Sequence, residues 1–293
     1  MDRNAALAQA LSRTLGTRCA GAPAQRVRGG CINECYAWDC DRGRLFVKLA
    51  PADAAPRLER EAAGLDALAA AQALRVPRVL GQASCAVGAY LVLEYIESGP
   101  ARADTAARLG AGLARLHAHS APRFGFEGDN YLGLTQANGW LADWPGFFRT
   151  RRLEPQLALA AARGHRALEE PGARLLECVP ALLAGHQPQP ALLHGDLWGG
   201  NWLSAADGTP VLVDPAVYFG DAEADLAMTR LFGGFAPAFY SAYAAHRPAA
   251  PGWQLRSELY NLYHLLNHAN LFGGAYLAQA LECIAQLRAA CRA

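Results

Sequence analysis

The chain of 293 residues lies at the upper end of what one hydrophobic core supports, so one large domain or two lobes is expected. Its 52% hydrophobic and 18% charged residues exclude a disordered chain. With 27 basic and 26 acidic side chains, a formal charge of +1, it has no global field to gather nucleic acid or anionic lipid.

In chain order, Ala5–Leu15 carries apolar residues at helical spacing and stops at Gly16, a C-terminal cap. The opening segment includes Asp2, Arg3, Asn4, Gln9 and Arg13 and lacks the apolar block of a signal peptide. Gln25–Gly30, Glu34–Cys40 and Arg44–Leu49 read as three antiparallel strands joined by tight turns. A helix follows over Arg57–Gln72, opened by Pro56, with Leu58, Ala62, Leu65 and Leu68 on one face. Pro77–Gln82 and Ala89–Ile96 return to strand texture, the second nearly continuous and hence buried, and Ser98-Gly99-Pro100 reads as a hinge. Beyond it the pattern is helical over Thr105–His117, Trp144–Ala162, Gly172–Leu183, Ala222–Phe232, Pro237–Ala245 and Trp253–Leu271. Between these helices, short apolar runs end at His194, Asp196 and Asp214. The layout is α+β, with a small sheet lobe over residues 1–97 and a larger helical lobe over 98–293. No apolar run reaches the roughly 20 residues of a membrane helix, and a cytoplasmic location is expected.

The strongest local string is His194-Gly195-Asp196-Leu197-Trp198-Gly199-Gly200-Asn201, followed by Asp214 at the end of Val211-Leu212-Val213. A carboxylate and an amide on one loop, with a second carboxylate ending a neighbouring strand, suit Mg²⁺, which favours one or two carboxylates plus phosphate oxygens. The remaining acid can accept a proton from an attacking hydroxyl. A hydrogen-bonded turn is the plain alternative, since Asp and Asn are common loop residues. One count also stands out: Lys48 is the sole lysine among the 27 basic residues. Either the composition is biased and Lys48 a chance survivor, or that position needs a compact ammonium that arginine cannot supply.

The spacing H-x-D-x-x-x-x-N followed by an aspartate resembles the catalytic loop and metal-binding segment of the protein-kinase-like fold. The wording HGDLWGGN, then DPAVYFGDAE, is similar to the fructosamine/ketosamine-3-kinase family, near the aminoglycoside phosphotransferases. RGGCIN (28–33), FVKL around Lys48, DWPGFF (143–148), FGGF (232–235) and LNHANLFGG (266–274) extend the resemblance in order. It implies ATP and Mg²⁺ as cofactors, Asp196 as the base, Asn201 and Asp214 on the metal, and Lys48 on the ATP phosphates. Glu61 would steady Lys48, with Glu59 as its competitor. Gly29, Gly30, Cys31, Ile32 and Asn33 fall where a phosphate-covering loop belongs. The loop departs from the G-x-G-x-x-G of protein kinases, and the chain has no Walker A sequence. Glu94, Tyr95 and Ile96 fall where backbone groups would meet adenine. The acceptor implied is a ketosamine, free or on a glycated protein, phosphorylated at its 3-hydroxyl, which would help remove glycation. Rival readings are another small alcohol, such as an aminoglycoside or a choline-like compound, and a nucleotide-binding module without turnover.

Smaller assignments complete the reading. Trp198 could stack on a sugar or aglycone, or pack. His268, four residues after His264, lines a substrate pocket or packs, since no H-E-x-x-H pattern makes the pair a metal site. Asp221, Glu223 and Asp225 are expected to cap the helix that follows, with a cationic amine as their other use. His194 braces its loop. Cys31, near Arg28, is either a redox-sensitive thiol or a small space-filling residue. The eight cysteines form no C-x-x-C pair, and Cys31, Cys35 and Cys40 lack a fourth zinc ligand. Expected partners are therefore the small molecule or glycated protein, with no nucleic acid or membrane, and a monomer or a dimer linked through Cys31.

Overall fold

The computed structural model describes residues 2–27 and 33–292. Gly29, Gly30, Cys31 and Ile32 lie outside the described residues, so of the expected phosphate loop only Asn33 is placed. The elements begin with α1 (Arg3–Leu15), β1 (Gln25–Val27), β2 (Glu34–Cys40), β3 (Gly43–Ala50), α2 (Ala55–Ala70), β4 (Val79–Cys85), β5 (Gly88–Glu94) and α3 (Thr105–Leu116). They continue with β6 (Asn130–Leu132), β7 (Leu134–Gln136), α4 (Trp144–Phe148), α5 (Glu154–Ala162), α6 (Glu169–Leu182), β8 (Ala191–Leu193), β9 (Trp202–Ser204) and β10 (Pro210–Leu212). The chain ends with β11 (Tyr218–Gly220), α7 (Ala222–Leu231), α8 (Pro237–His246), α9 (Trp253–Phe272) and α10 (Ala275–Ala290).

Packing divides the chain into two compact units, and the division departs from simple chain order. The first runs through Thr105 and also takes in Asn201–Pro215; the second holds Ala106–Gly200 and the chain from Ala216 onward. The β9–β10 hairpin joins the first unit through backbone bonds. Gly99 N–H donates to Ser204 C=O at 2.9 Å, Ala206 N–H to Glu97 C=O at 2.8 Å, and Leu212 N–H to Arg75 C=O at 2.9 Å. These bonds pin the Ser98-Gly99-Pro100 stretch, which is a paired edge and not the expected hinge.

The first unit is built on an antiparallel sheet of order β1-β2-β3-β5-β4. Successive strand residues face opposite ways, so Leu45, Val47 and Leu49 of β3 share one face. They cluster with Leu7 and Leu11 of α1 and with Trp38, Tyr90 and Val92. Lys48 is left on the other face, where α2 buries Leu58, Ala62, Leu65 and Leu68 along its length. α1 stops at Gly16, whose φ of +59° and N–H bond to Ser12 C=O make the expected cap.

The second unit packs α6, α9 and α10 around an aromatic centre where Trp144 stacks on Phe147 and donates to Tyr260 Oη at 2.9 Å. Two features differ from the sequence reading. The helix expected over Trp144–Ala162 is broken by a π turn at Arg149–Leu153. Pro155, in the first turn of α5, cannot donate a backbone bond to the preceding turn. The widened turn places Arg152 fully inside the core, its guanidinium 4.0 Å from the Tyr218 ring centre. The β6–β7 hairpin and α10 were not anticipated at all. Among the described residues no helix is long and apolar enough to cross a membrane, and the seven described cysteines are free.

α9 is buried around most of its circumference, polar residues included. Its His264 is 6% exposed and pushed down to about 3 by burial, with His268 adding in the same direction. The folded state therefore holds this imidazole neutral while the unfolded chain takes up a proton near pH 6.5. Stability from this source is complete above that pH and lost as pH falls toward the folded value, by about 1.4 kcal/mol per unit. Urea unfolding at pH 7.5 and 5.0 is expected to show a larger acid loss in the wild type than in His264→Asn. Equal losses would remove His264 as the cause.

Candidate active site

The first unit supplies a buried charge cluster. Lys48 is 4% exposed, and its Nζ lies 2.5 Å from a Glu61 carboxylate oxygen and 2.5 Å from Asp214 Oδ1. Glu61 sits on α2 one turn beyond the buried Leu58, which turns it under the sheet, whereas Glu59 is exposed. Burial opposes the ammonium, but the two carboxylates more than offset it and hold Lys48 protonated well above its usual range. Burial, with the Asp214 charge nearby, pushes Glu61 upward despite its cation. The Cys35 thiol, opposite Lys48 on β2, is pushed up to about 11 by burial. It stays protonated and inert at neutral pH.

Asp214 has a φ of +54°. The left-handed region costs an L-residue roughly 1–2 kcal/mol, and Asp is among the side chains that tolerate it. The residue before it, Val213, donates its N–H to Asn201 C=O at 3.0 Å, which sets Asn201 beside the Asp214 strand end. One ammonium between two carboxylates leaves the cluster net negative, and the Asp214 side chain is one-third exposed. Together with the Asn201 amide this is a hard-oxygen donor set, and it fits a divalent cation of the Mg²⁺ type.

Around the expected adenine segment, Glu94 N–H donates to Arg78 C=O at 2.9 Å, and its carboxylate takes Arg75 at 2.8 Å. Tyr95 lies under the Arg44 guanidinium at 5.7 Å, and Ile96 is half-buried. Asn33 is half-buried, and its side-chain oxygen finds no partner among the described residues.

The second unit supplies the loop that begins with His194. β8 pairs with β11, and the pairing continues as Ala216 N–H donates to His194 C=O at 2.9 Å. At Gly195 φ is +82°, and a Cβ there would lie 2.0 Å from the Ala216 carbonyl oxygen. Only glycine fits. Asp225 grips this loop from α7: its carboxylate accepts His194 N–H at 2.8 Å and Gly195 N–H at 2.9 Å. His117 Nε2 lies 3.1 Å from the same carboxylate, and His117 Nδ1 lies 2.8 Å from Tyr243 Oη. Burial drives Asp225 upward, but these donors outweigh it and hold the carboxylate below its usual range. Asp196 follows, half-buried, with its N–H donating to His194 Nδ1 at 3.3 Å.

The acidic trio after the loop divides its labour differently from the sequence expectation. Asp221 caps α7 by accepting Glu223 N–H at 3.0 Å, and Glu223 pairs with Arg256. Asp225 neither caps nor meets solvent, being 2% exposed behind the loop. Sequence reasoning missed this role, along with those of His117 and Tyr243, because a brace of this kind joins residues far apart in the chain.

Trp198 is 40% exposed, and the indole covers the space where a side chain at Gly200 would stand. Gly199 and Gly234 are so close that a Cβ on Gly234 would lie 3.0 Å from Gly199 Cα, so the HGDLWGGN and FGGF segments meet backbone to backbone. His268 bonds through Nδ1 to His264 C=O at 2.8 Å, and its ring lies 5.0 Å from Phe232, 5.6 Å from Phe272 and 5.0 Å from Tyr276. Trp198, Phe232 and Phe272 are the exposed large hydrophobic residues among those described. The second unit thus presents its surface aromatics on segments linked by Gly199–Gly234 and His268.

A family model for fructosamine kinase matches residues 3–290. The chain belongs to the fructosamine kinase family. Probable ketoamine kinase slr1563 of Synechocystis sp. is 46% identical over 282 residues, covering 96% of this chain and 95% of that protein. The chloroplastic protein-ribulosamine 3-kinase of Oryza sativa subsp. indica is 42% identical over 263 residues, 88% of this chain and 76% of the relative. The solved structure of the putative fructosamine-3-kinase of Thermobifida fusca superposes with a TM-score of 0.84 at 35% identity. It covers 98% of this chain and 99% of its own. The aminoglycoside phosphotransferase APH(4)-Ia, at 14% identity and a TM-score of 0.61 over 97% of this chain and 98% of its own, shares the fold. This fructosamine kinase family member is a phosphotransferase of the two-lobed, protein-kinase-like α+β class, as the spacing of Asp196, Asn201 and Asp214 led one to expect.

Proposed function

We propose that the enzyme transfers the γ-phosphoryl group of ATP to the 3-hydroxyl of a ketosamine, free or attached to a protein. The observation that carries this reading is the buried Lys48 held between Glu61 and Asp214, in a chain whose relatives bear ketoamine and ribulosamine kinase names. A lysine whose ammonium is held by two carboxylates presents a fixed point charge to the α- and β-phosphates, and a neutral or mobile side chain would not. Glu61 sets that position from α2. Asn201 and Asp214 would hold Mg²⁺, which supplies charge neutralisation on the phosphates when bound. Asp196, on a loop whose backbone is clamped by Asp225, would orient the acceptor hydroxyl and take its proton.

Asp225 fixes the two residues before Asp196, which preorganises the loop that carries the base. The exposed aromatics Trp198 and Phe232, with His268 between Phe232 and Phe272, offer apolar faces for the sugar and for the amine-bearing body. Phosphorylation at the 3-position would destabilise the sugar–amine adduct, which makes the activity a deglycation step.

The test is ATP consumption with Mg²⁺ in the presence of ribulose-lysine, fructose-lysine, kanamycin or choline, with Asp196→Ala as the blank. Turnover on a ketosamine that vanishes in the variant is expected. Turnover only on kanamycin or choline would overturn the acceptor assignment, and ATP binding without turnover on any of the four would favour the regulatory reading.

A further inference from the structure

Within the second unit a cavity of about 260 Å³ opens between the first turns of α7 and α9, and its walls include none of the residues assigned above to phosphate, metal or acceptor. Two carboxylates stand there, Asp221 and Glu223, and both are already engaged. Asp221 Oδ2 lies 2.6 Å from His186 Nε2 and accepts the Tyr260 hydroxyl at 2.6 Å, while Glu223 takes Arg256 through Nε at 2.6 Å and Nη2 at 2.8 Å. A cation drawn to His186, Asp221 and Glu223 would have to break these bonds beside a guanidinium, so the trio does not favour a metal.

The unanswered groups in the walls are donors. Arg230 and Arg247 make no ion pair among the described residues. Arg230 lies over the Tyr240 and Trp253 rings at 4.4 and 4.6 Å and donates to Leu226 C=O, and Arg247 donates to His117 C=O at 3.0 Å. Ser257 is 6% exposed, lines the cavity, and its hydroxyl has no partner among the described residues. A buried hydroxyl left this way is costly unless something arrives to bond it. α9 also begins at Trp253 with no side-chain cap on Gly252, so the positive end of its dipole borders the same space.

We propose that this cavity binds a small organic anion, a carboxylate or phosphate monoester with an apolar body. Arg230, Arg247 and the Ser257 hydroxyl hold the anionic group, and Trp253 packs on the apolar part. Burial lowers the pKa of Arg230, and Tyr240 and Glu223, the latter already paired with Arg256, only partly oppose it. The cavity is also wired to the loop that carries Asp196. Tyr243 lines it and meets His117 Nδ1, Arg247 holds the His117 carbonyl, and His117 in turn meets Asp225, which bonds His194 and Gly195 N–H. An anion that draws Arg247 toward itself loads the residue that carries the loop's brace, so occupancy is felt at Gly195.

The test titrates the full chain with phenyl phosphate and with benzoate, read by calorimetry and by the Gly195 amide resonance in ¹⁵N spectra. At least one probe should bind saturably at one per chain, and the tighter of the two identifies the head group. Arg230→Gln should weaken binding at least tenfold. Ala249→Trp should do the same by filling the cavity while leaving every donor in place, which separates a lost site from a lost fold. The Gly195 amide should shift in proportion to occupancy. No saturable binding of either probe, or binding unchanged in both variants, overturns the site. A Gly195 resonance that stays fixed while a probe saturates overturns the link to the loop.

Discussion

Asp196→Asn is expected to lower kcat by roughly 10²–10⁴-fold, the range contributed by a positioned general base, while leaving the KM for ATP within about twofold. Asparagine keeps the size and the hydrogen-bonding reach of aspartate but cannot take the proton of the acceptor hydroxyl. The loop itself should survive the change, because its backbone is held by Asp225 through His194 and Gly195 and by the Ala216–His194 pairing. The thermal midpoint should therefore move by no more than a few degrees. Steady-state kinetics with ATP and the ketosamine of highest turnover decides the matter. If Asp196→Asn retains more than a tenth of wild-type kcat, another group takes the proton.

Lys48→Met is expected to destroy activity and also to destabilise the first unit by about 3–5 kcal/mol, the usual cost of removing one member of a buried ion cluster. The physical reason is the company Lys48 keeps. Without the ammonium, the Glu61 carboxylate lies buried with the Asp214 charge nearby and no cation between them. Adding Glu61→Gln to Lys48→Met should recover a large part of the lost stability by removing one of the two uncompensated charges, yet restore no turnover. Lys48→Arg should sit between, retaining the charge but failing to place it, since the planar fork cannot meet two carboxylates from one point. Denaturant unfolding monitored alongside ATP turnover separates the two effects. If the double variant is no more stable than Lys48→Met alone, the cluster account fails.

Much of the first unit was legible before any coordinates. Strand alternation in Arg44–Leu49 and the apolar stripe Leu58, Ala62, Leu65 and Leu68 are local patterns, and local patterns are what periodicity reports. Lys48 could be singled out because the chain has no other lysine, and Glu61, with Glu59 as its competitor, because of the family resemblance. In the second unit the helices with strong three-four spacing were legible. α10 was not, because its alanine and glutamine residues blur the contrast between its faces, and the π turn at Arg149–Leu153 hid inside an otherwise regular apolar pattern.

The site followed the same division. Asp196, Asn201 and Asp214 stand within a short stretch of chain, where their types and spacing suited a Mg²⁺ site or a plain hydrogen-bonded turn, and the resemblance named the family and its reaction. The brace on the His194–Gly195 backbone is spread over His117, Asp225 and Tyr243, each of which has an ordinary local reading as a core histidine, a helix cap or an aromatic of α8. Only packing turned Asp225 from a cap into the acceptor of two loop amides. Packing also carried Asn201–Pro215 away from its sequence neighbours into the first unit, through backbone bonds from Gly99, Ala206 and Leu212 and through the Lys48–Asp214 ion pair, all between residues far apart in the chain. The sequence by itself therefore determined the reaction class, through the family resemblance that its motifs carry in order along the chain. The tertiary structure decided what holds the motif residues and, among the described residues, that Arg230 and Arg247 make no ion pair, because burial and long-range hydrogen bonding arise from distances that no local pattern encodes.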